Sequence, residues 1–248
     1  MLQRFEVENF KGFKDKLVLD LTDIKDYQFN TDCVQNQIVD KSLIYGLNGC
    51  GKSNLGYAIC DIIFNFTDSP SGNLEKSYEN YLNANSKIKH ARFEYQFKLS
   101  QDVVKYTYKK KSLGEIFYEE LSINGTIVAS IDREKSEVGI VNLWGAEHLK
   151  LDFTGKEISL IKYIYSNALL DSDDPTNLAF NKFFSFVKLM RFSRTVDSHK
   201  TISFQASSAS KYILKKQGGL ERFQEFLHEA NVNCELTTIE VDGEQQIA

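Results

Sequence analysis

Much that would steer a functional reading is missing from this chain. Its cysteines, Cys33, Cys50, Cys60 and Cys234, are scattered, with no C-x-x-C pair and no neighbouring histidine. That argues against a bound metal or a disulfide framework and fits a reduced, cytoplasmic setting. No apolar run approaches the roughly 20 residues that cross a bilayer, and the best apolar helical pattern is interrupted by Asp61 and Asn65. No membrane partner is expected. The N-terminus opens on a patterned strand, not on a basic and apolar leader. The net charge of −4 gives no global case for a nucleic-acid or membrane surface. There is no internal repeat and no low-complexity tract. With 248 residues, 42% hydrophobic and 26% charged, the chain can hold one large domain or two small ones with ample core.

What stands out is Gly46-Leu47-Asn48-Gly49-Cys50-Gly51-Lys52-Ser53, which fits the phosphate-binding pattern G-x-x-x-x-G-K-[ST]. Glycines let the backbone curl so that successive N–H groups form an anion nest. Lys52 can reach the β- and γ-phosphates, and the Ser53 hydroxyl can ligand the Mg²⁺ that accompanies them. The flanks agree with the motif. Ser42-Leu43-Ile44-Tyr45 reads as a short buried strand, and Leu55, Ile59, Ile62, Ile63 and Phe66 fall at helical spacing behind the loop, with Asn54 opening that helix. Strand, glycine loop and helix together deliver an anion to a helix N-terminus. An incidental glycine-rich turn is the weaker reading. Cys50 lies inside the loop, where alkylation would obstruct a nucleotide.

The wording Gly46-x-Asn48-Gly49-x-Gly51-Lys52-Ser53 resembles the loop of ATP-binding-cassette-type heads, including SMC-, RecF- and OLD-like ATPases and the AAA-type prokaryotic ATPases found in phage-defence systems. Phe5-Glu6-Val7-Glu8-Asn9-Phe10-Lys11-Gly12-Phe13 resembles the strand and Asn-Phe-basic-x-Phe opening of the same heads. The resemblance implies an α/β P-loop NTPase head with ATP and Mg²⁺ as ligands. It also implies a nucleotide near Lys11, and a second head, nucleic acid or an effector as partner. Gln96 is the residue that would correspond to the family's metal-contacting glutamine. A guanine-reading Asn-Lys-x-Asp motif is absent, which favours ATP.

Along the chain, Phe5 and Val7, then Leu17, Leu19 and Leu21, alternate as strands, and Asp23 to Asp40 reads as a polar excursion. After a break at residues 68–73 a short helix is expected from Leu74 to Asn83. Then come Phe93, Tyr95, Phe97 and Leu99, Val104, Tyr106 and Tyr108, and Ile116 to Val128 around the turn Asn124-Gly125. This predicts an antiparallel meander of about four strands whose aromatics form half a core, not a base-stacking platform. Lys105, Lys109, Lys110 and Lys111 fit an edge-protecting lysine set as well as a phosphate patch.

Helices are predicted around Ile158 to Tyr165 and Phe180 to Val187, parted by a capping turn at Asp171-Ser172-Asp173-Asp174-Pro175. Lys188, Arg191, Arg194, Lys200, Lys211, Lys215 and Lys216 make the stretch 188–216 basic, as a linker or a contact for nucleic acid. A helix from Leu220 and a strand near Leu236 and Ile239 follow. The expected segments are thus 1–86 as the P-loop core, 87–155 as the meander and 156–248 as a helical region.

Two parts of a hydrolytic head have no match. No run of four apolar residues ends in an Asp-Glu pair, and no Ser-Gly signature is followed by one. Without a group to orient the attacking water, the chain is expected to bind ATP without turning it over alone. It reads as the N-terminal part of a longer or split ATPase. The alternatives are a degenerate, interacting nucleotide-binding protein and a small-molecule kinase, for which no lid arginines or catalytic acid stand out.

Overall fold

The strand Ala91–Leu99 alternates small or aromatic residues with charged or amide ones, and that alternation decides where the molecule's interior lies. In the computed structural model, which describes residues 1–26, 28–67, 78–193, 201–203, 213–241 and 244–247, this segment is a central strand of a seven-stranded sheet. In chain order the strands are β1 (Leu2–Glu8), β2 (Leu17–Asp20), a small separate pair β3 (Val34–Gln35) and β4 (Ile38–Val39), then β5 (Ala91–Leu99), β6 (Asp102–Lys110), β7 (Ile116–Ile123), β8 (Thr126–Asp132) and β9 (Ser136–Val141). The large sheet has the order β2-β1-β5-β6-β7-β8-β9, and every neighbour in it is antiparallel. The opening strands and the meander therefore share one hydrogen-bonded sheet. The meander has five strands where the pattern predicted about four. The turn residues Asn124 and Gly125 both have positive φ, 50° and 83°, as a type I′ hairpin requires.

One face of the sheet carries Phe5, Val7, Phe93, Tyr95, Phe97, Val104, Tyr106 and Tyr108, all buried. The aromatics are core, as expected. The helices that cover them are α1 (Lys52–Cys60), α2 (Ile62–Phe66), α3 (Leu160–Asn167) and α4 (Pro175–Leu189). Pro175 stands in the first turn of α4, and the Asp174 carboxylate caps it by accepting from Asn177 N–H at 2.9 Å. The Ser159 hydroxyl accepts from Lys162 N–H to cap α3. Tyr95 donates to the Ala58 carbonyl at 2.9 Å, which fixes α1 over β5. Phe183 of α4 meets Phe97 and Tyr106 at 5.6 and 5.7 Å between ring centroids.

The opposite face is a ladder of ion pairs. Arg4 bridges Glu6 and Asp20 at 2.8 and 2.6 Å, Lys16 and Arg92 reach Glu6, and Lys105 reaches Glu94 at 2.9 Å.

Asp61 and Asn65 do not break the apolar pattern towards solvent; both are buried. Asp61 lies between α1 and α2 and accepts from Tyr81 Oη at 2.9 Å, Tyr108 Oη at 2.8 Å and Lys110 Nζ at 3.0 Å. Lys110 is only 1% exposed. It is thus neither an edge lysine nor part of a phosphate patch. Its position in β6 is in phase with Val104, Tyr106 and Tyr108, so the pleat turns it into the core. Burial pushes its pKa below the usual lysine value against the pull of Asp61. The other lysines of the cluster are also engaged: Lys109 stands over the Tyr118 ring and Lys111 pairs with Glu115.

The strand expected at residues 42–45 does not form. No backbone–backbone hydrogen bond reaches residues 41–46 among the described residues, and Leu43, Ile44 and Tyr45 are 87%, 48% and 87% exposed. A strand exists only by pairing, and no described strand lies beside this one. Of the helix expected over 74–83, residues 74–77 lie outside the described residues, and 78–83 hold no α-helix. The strands β10 (Arg191–Ser193) and β11 (Thr201–Ser203) pair antiparallel; Arg194, Lys200 and Lys211 of the basic stretch lie outside the described residues.

The chain divides into two compact units, Met1–Phe204 and Gln205–Ala248. The second holds α5 (Gly219–Glu229) and the hairpin of β12 (Thr238–Val241) and β13 (Glu244–Ile247). Leu220, Phe223, Phe226 and Leu227 fall on α5 as expected. Leu236 precedes β12, and its N–H donates to Gln224 Oε1 at 2.9 Å.

Candidate phosphate-binding site

The glycines of the loop do what their sequence positions require. Gly49 and Gly51 take φ of +81° and +102°, a region that side-chain-bearing residues rarely enter. A Cβ on Gly46 would stand 2.9 Å from Cys50 Sγ, so a side chain there would displace the Cys50 thiol. Cys50 N–H donates to the Leu47 carbonyl at 3.3 Å, and Leu55 N–H donates to Gly51 at 3.0 Å as the first bond of α1. Helix α1 begins at Lys52 with Gly51 as its cap and no side-chain capping bond. Among the described residues, nothing accepts from the N–H groups of Lys52, Ser53 and Asn54. Free donors at a helix N-terminus, the macrodipole and an ammonium group make a receptor for an anion.

Lys52 Nζ donates to the carbonyls of Gly46 and Leu47 at 2.7 and 2.8 Å, and lies 3.9 Å from Cys50 Sγ. The ammonium group is therefore folded across the loop opening, on carbonyls that a phosphate oxygen could replace as its partner. The whole stretch from Lys41 to Cys50, with Lys52 and Ser53, is exposed. Ser53 offers one hydroxyl. No group of three or more His, Cys, Asp or Glu placed to hold a metal occurs among the described residues. A single hydroxyl does not retain Mg²⁺ by itself; the set fits a magnesium ion that arrives on the phosphates.

The turn after β1 packs against this loop. A Cβ on Gly12 would lie 3.2 Å from Asn54 Nδ2, and one on Gly51 would lie 3.6 Å from Phe13 Cε1. Lys11 is brought close by this turn, with φ of +48°, but its ammonium points elsewhere. It donates to the Glu79 carbonyl at 3.0 Å and stands 5.7, 5.8 and 5.7 Å from the rings of Phe10, Tyr57 and Tyr78. Burial lowers its pKa, opposed by Asp61 and Glu79. Gln96 is not brought to the loop. It lies on β5, on the ion-pair face, where Nε2 donates to Gln3 Oε1 at 3.2 Å; the sheet separates it from α1.

A cavity of about 940 Å³ lies at the far end of α2 and includes Phe64, Asn65, Tyr81, Lys110, Leu113 and Ser159 in its wall. No P-loop residue lines it. Concavity alone would place a ligand there, and Asn65 Oδ1 and Thr67 Oγ1 in its wall have no hydrogen-bond partner among the described residues, but its charged group, Lys110, is paired with Asp61, and Ser159 donates to Glu119 at 2.6 Å. The loop, with free donors and an accessible cation, is the better anion site.

No family model matches the chain, and no curated protein matches it. A chain from a study of the ATP-driven dimerisation and DNA-stimulated activation of SMC ATPases is similar in structure at a TM-score of 0.34 and 18% identity, covering 73% of this chain and 98% of that one.

Proposed function

We propose that the chain is a nucleotide-binding module that takes ATP with Mg²⁺ at Gly46–Ser53, as part of an ABC/SMC-like ATPase. One observation carries the reading: the glycine loop ends on a helix whose first N–H groups are claimed by none of the described residues, with Lys52 folded over the loop beside them. The backbone N–H groups would hold the phosphates, Lys52 would neutralise the terminal phosphate, and the Ser53 hydroxyl would be a ligand of the metal that accompanies the nucleotide. Asn54 abuts the turn that carries Lys11. Binding would draw that turn and the loop together.

Mg-ATP at about a hundred times its dissociation constant adds about 2.7 kcal/mol of stability, several degrees of melting temperature for a chain of this size. Lys52→Ala should remove most of that shift. A wild type unmoved by ATP, ADP and GTP would favour the degenerate, interacting protein instead.

The exposed run Leu43–Tyr45 supports the second part of the reading, a module completed by another polypeptide segment: a second head or the remaining half of a split enzyme. An apolar strand sequence with both edges and both faces open gains pairing and burial only from added strands. No described residue is placed to orient an attacking water. Turnover by the chain alone should therefore equal that of Lys52→Ala, and adding the completing segment should restore it. DNA transactions or phage defence are the settings that the resemblance implies. Nucleic-acid contact by the stretch 188–216 would appear as steeply salt-dependent duplex binding, flattened by Arg191→Gln with Lys215→Gln and Lys216→Gln.

A further inference from the structure

Helix α1 carries a glycine, Gly56, one turn after Lys52. A glycine in a helix interior is less favourable than alanine, so its presence needs a compensating contact. Phe192 of β10 supplies one. A Cβ on Gly56 would stand 2.3, 2.6 and 2.9 Å from Phe192 Cε2, Cζ and Cδ2. The Phe192 ring thus lies on the bare backbone of α1, where no side chain larger than hydrogen leaves room. It also meets Tyr57 edge-on at 5.3 Å between centroids. Tyr57 in turn touches Tyr78 at 5.3 Å and faces the Lys11 ammonium. Phe192 belongs to the basic stretch, paired across from Ile202 of β11. Residues 52 and 56 lie on the same side of the helix, one turn apart.

We propose that Phe192 is a positioning residue for the phosphate site. Seated on Gly56, it fixes the first turns of α1 and links phosphate binding at Lys52 and Ser53 to the β10–β11 pair within the basic stretch. The proposal rests on the nucleotide reading above. Linkage is reciprocal: whatever holds the β10–β11 pair against α1 tightens nucleotide binding, and nucleotide steadies that pair to the same degree.

Two experiments on the full chain test this. In the first, Gly56→Ala is made in the wild type and in Phe192→Ala. The seat predicts a change of sign. The added methyl lowers the melting temperature when Phe192 is present, because the ring must leave, and raises it when the ring is gone, because alanine is the better helix former. A rise in both backgrounds overturns the contact.

In the second, amide hydrogen exchange is followed with saturating Mg-ATP. Wild type should slow at residues 51–54 and also at 191–193. Phe192→Ala should bind ATP about tenfold more weakly and lose the effect at 191–193 while keeping it at 51–54, and Phe192→Leu should recover most of both. Protection at 51–54 without any at 191–193 in the wild type overturns the linkage and leaves the nucleotide reading standing. No protection anywhere removes the nucleotide reading, and the linkage with it.

Discussion

The sheet with its covering helices and the phosphate loop with its leading segment are held in opposite ways. In the sheet, Asp61, 49 residues from Lys110 in sequence, meets it inside a packed core and receives two tyrosine hydroxyls as well. In the loop, the polar bonds among the described residues are local, Lys52 to the carbonyls of Gly46 and Leu47, Cys50 to Leu47 and Leu55 to Gly51, and residues 41–46 have no backbone partner among the described residues. One region is stabilised by long-range burial; the other has its shape written into glycine positions. Substitutions should therefore cost stability in the first and binding in the second, with little overlap.

The largest effect is expected at the buried ion pair. Asp61→Ala would leave the Lys110 ammonium inside the core without its partner, and breaking a buried pair in this way costs about 3–5 kcal/mol. The midpoint of urea unfolding measures it. A cost below about 1 kcal/mol, the worth of a surface pair, would mean that the sheet region is not anchored there.

Alkaline pH gives a second, graded test of the same region. Burial first, with nearby Asp61, Glu119 or neighbouring tyrosines, holds Tyr78, Tyr81, Tyr95, Tyr106 and Tyr108 well above the ordinary phenol value of 10, and burial pushes the Cys60 thiol to about 12. Above pH 10 the unfolded chain releases these phenol protons while the folded chain keeps them. The tyrosines' contribution is complete below that pH and falls beyond it, by about 1.4 kcal/mol per pH unit for each tyrosine, and that of Cys60 falls from pH 9. Lys110 works in the other direction. Its folded pKa is lowered, so stability rises with pH between that value and 10.5, but it is one group against six. Melting temperature against pH should bend downward steeply past pH 10, together with a rise of tyrosinate absorbance. The exposed tyrosines, Tyr45 among them, ionise first; tyrosinate from the five buried ones forming well before unfolding would contradict the burial.

These two regions also differ in how far the sequence discloses them. The strands from Ala91 to Ile131 are legible because aromatic alternation and Asn124-Gly125 act locally. Strand β9 is hidden in the sequence because its pattern is inverted: Gly139 is buried beneath Leu160 while Val138 and Ile140 point outward at 55% and 59% exposure. The role of Lys110 was within reach, since it keeps step with Tyr106 and Tyr108. A lysine in an apolar phase is read as solvated, however, until its distant partner is known. The turn of the glycine loop is legible because the residues that shape it, Gly49 and Gly51 at positive φ, are contiguous in the motif. The strand before it is not, because an apolar run reports a preference for pairing and not the presence of a neighbour.

The smallest expected effect sharpens this last point. Leu43→Ser with Tyr45→Ser removes apolar surface that nothing covers, so stability of the chain alone should change by less than about 0.5 kcal/mol. The same pair of changes should abolish association with the completing segment, read by analytical ultracentrifugation. A loss of several kcal/mol from these two exposed positions would show that the run is already buried in solution.

The central claim is that Gly46–Ser53 binds nucleotide through Lys52. Isothermal titration of Mg-ATP into the wild type and into Lys52→Ala, each first shown to have the same far-ultraviolet circular dichroism, tests it most directly. One site per chain is predicted in the wild type, with binding at least tenfold weaker in the variant, about 1.4 kcal/mol or more. Equal heats and equal affinity in the two proteins, or no binding in either, would contradict it.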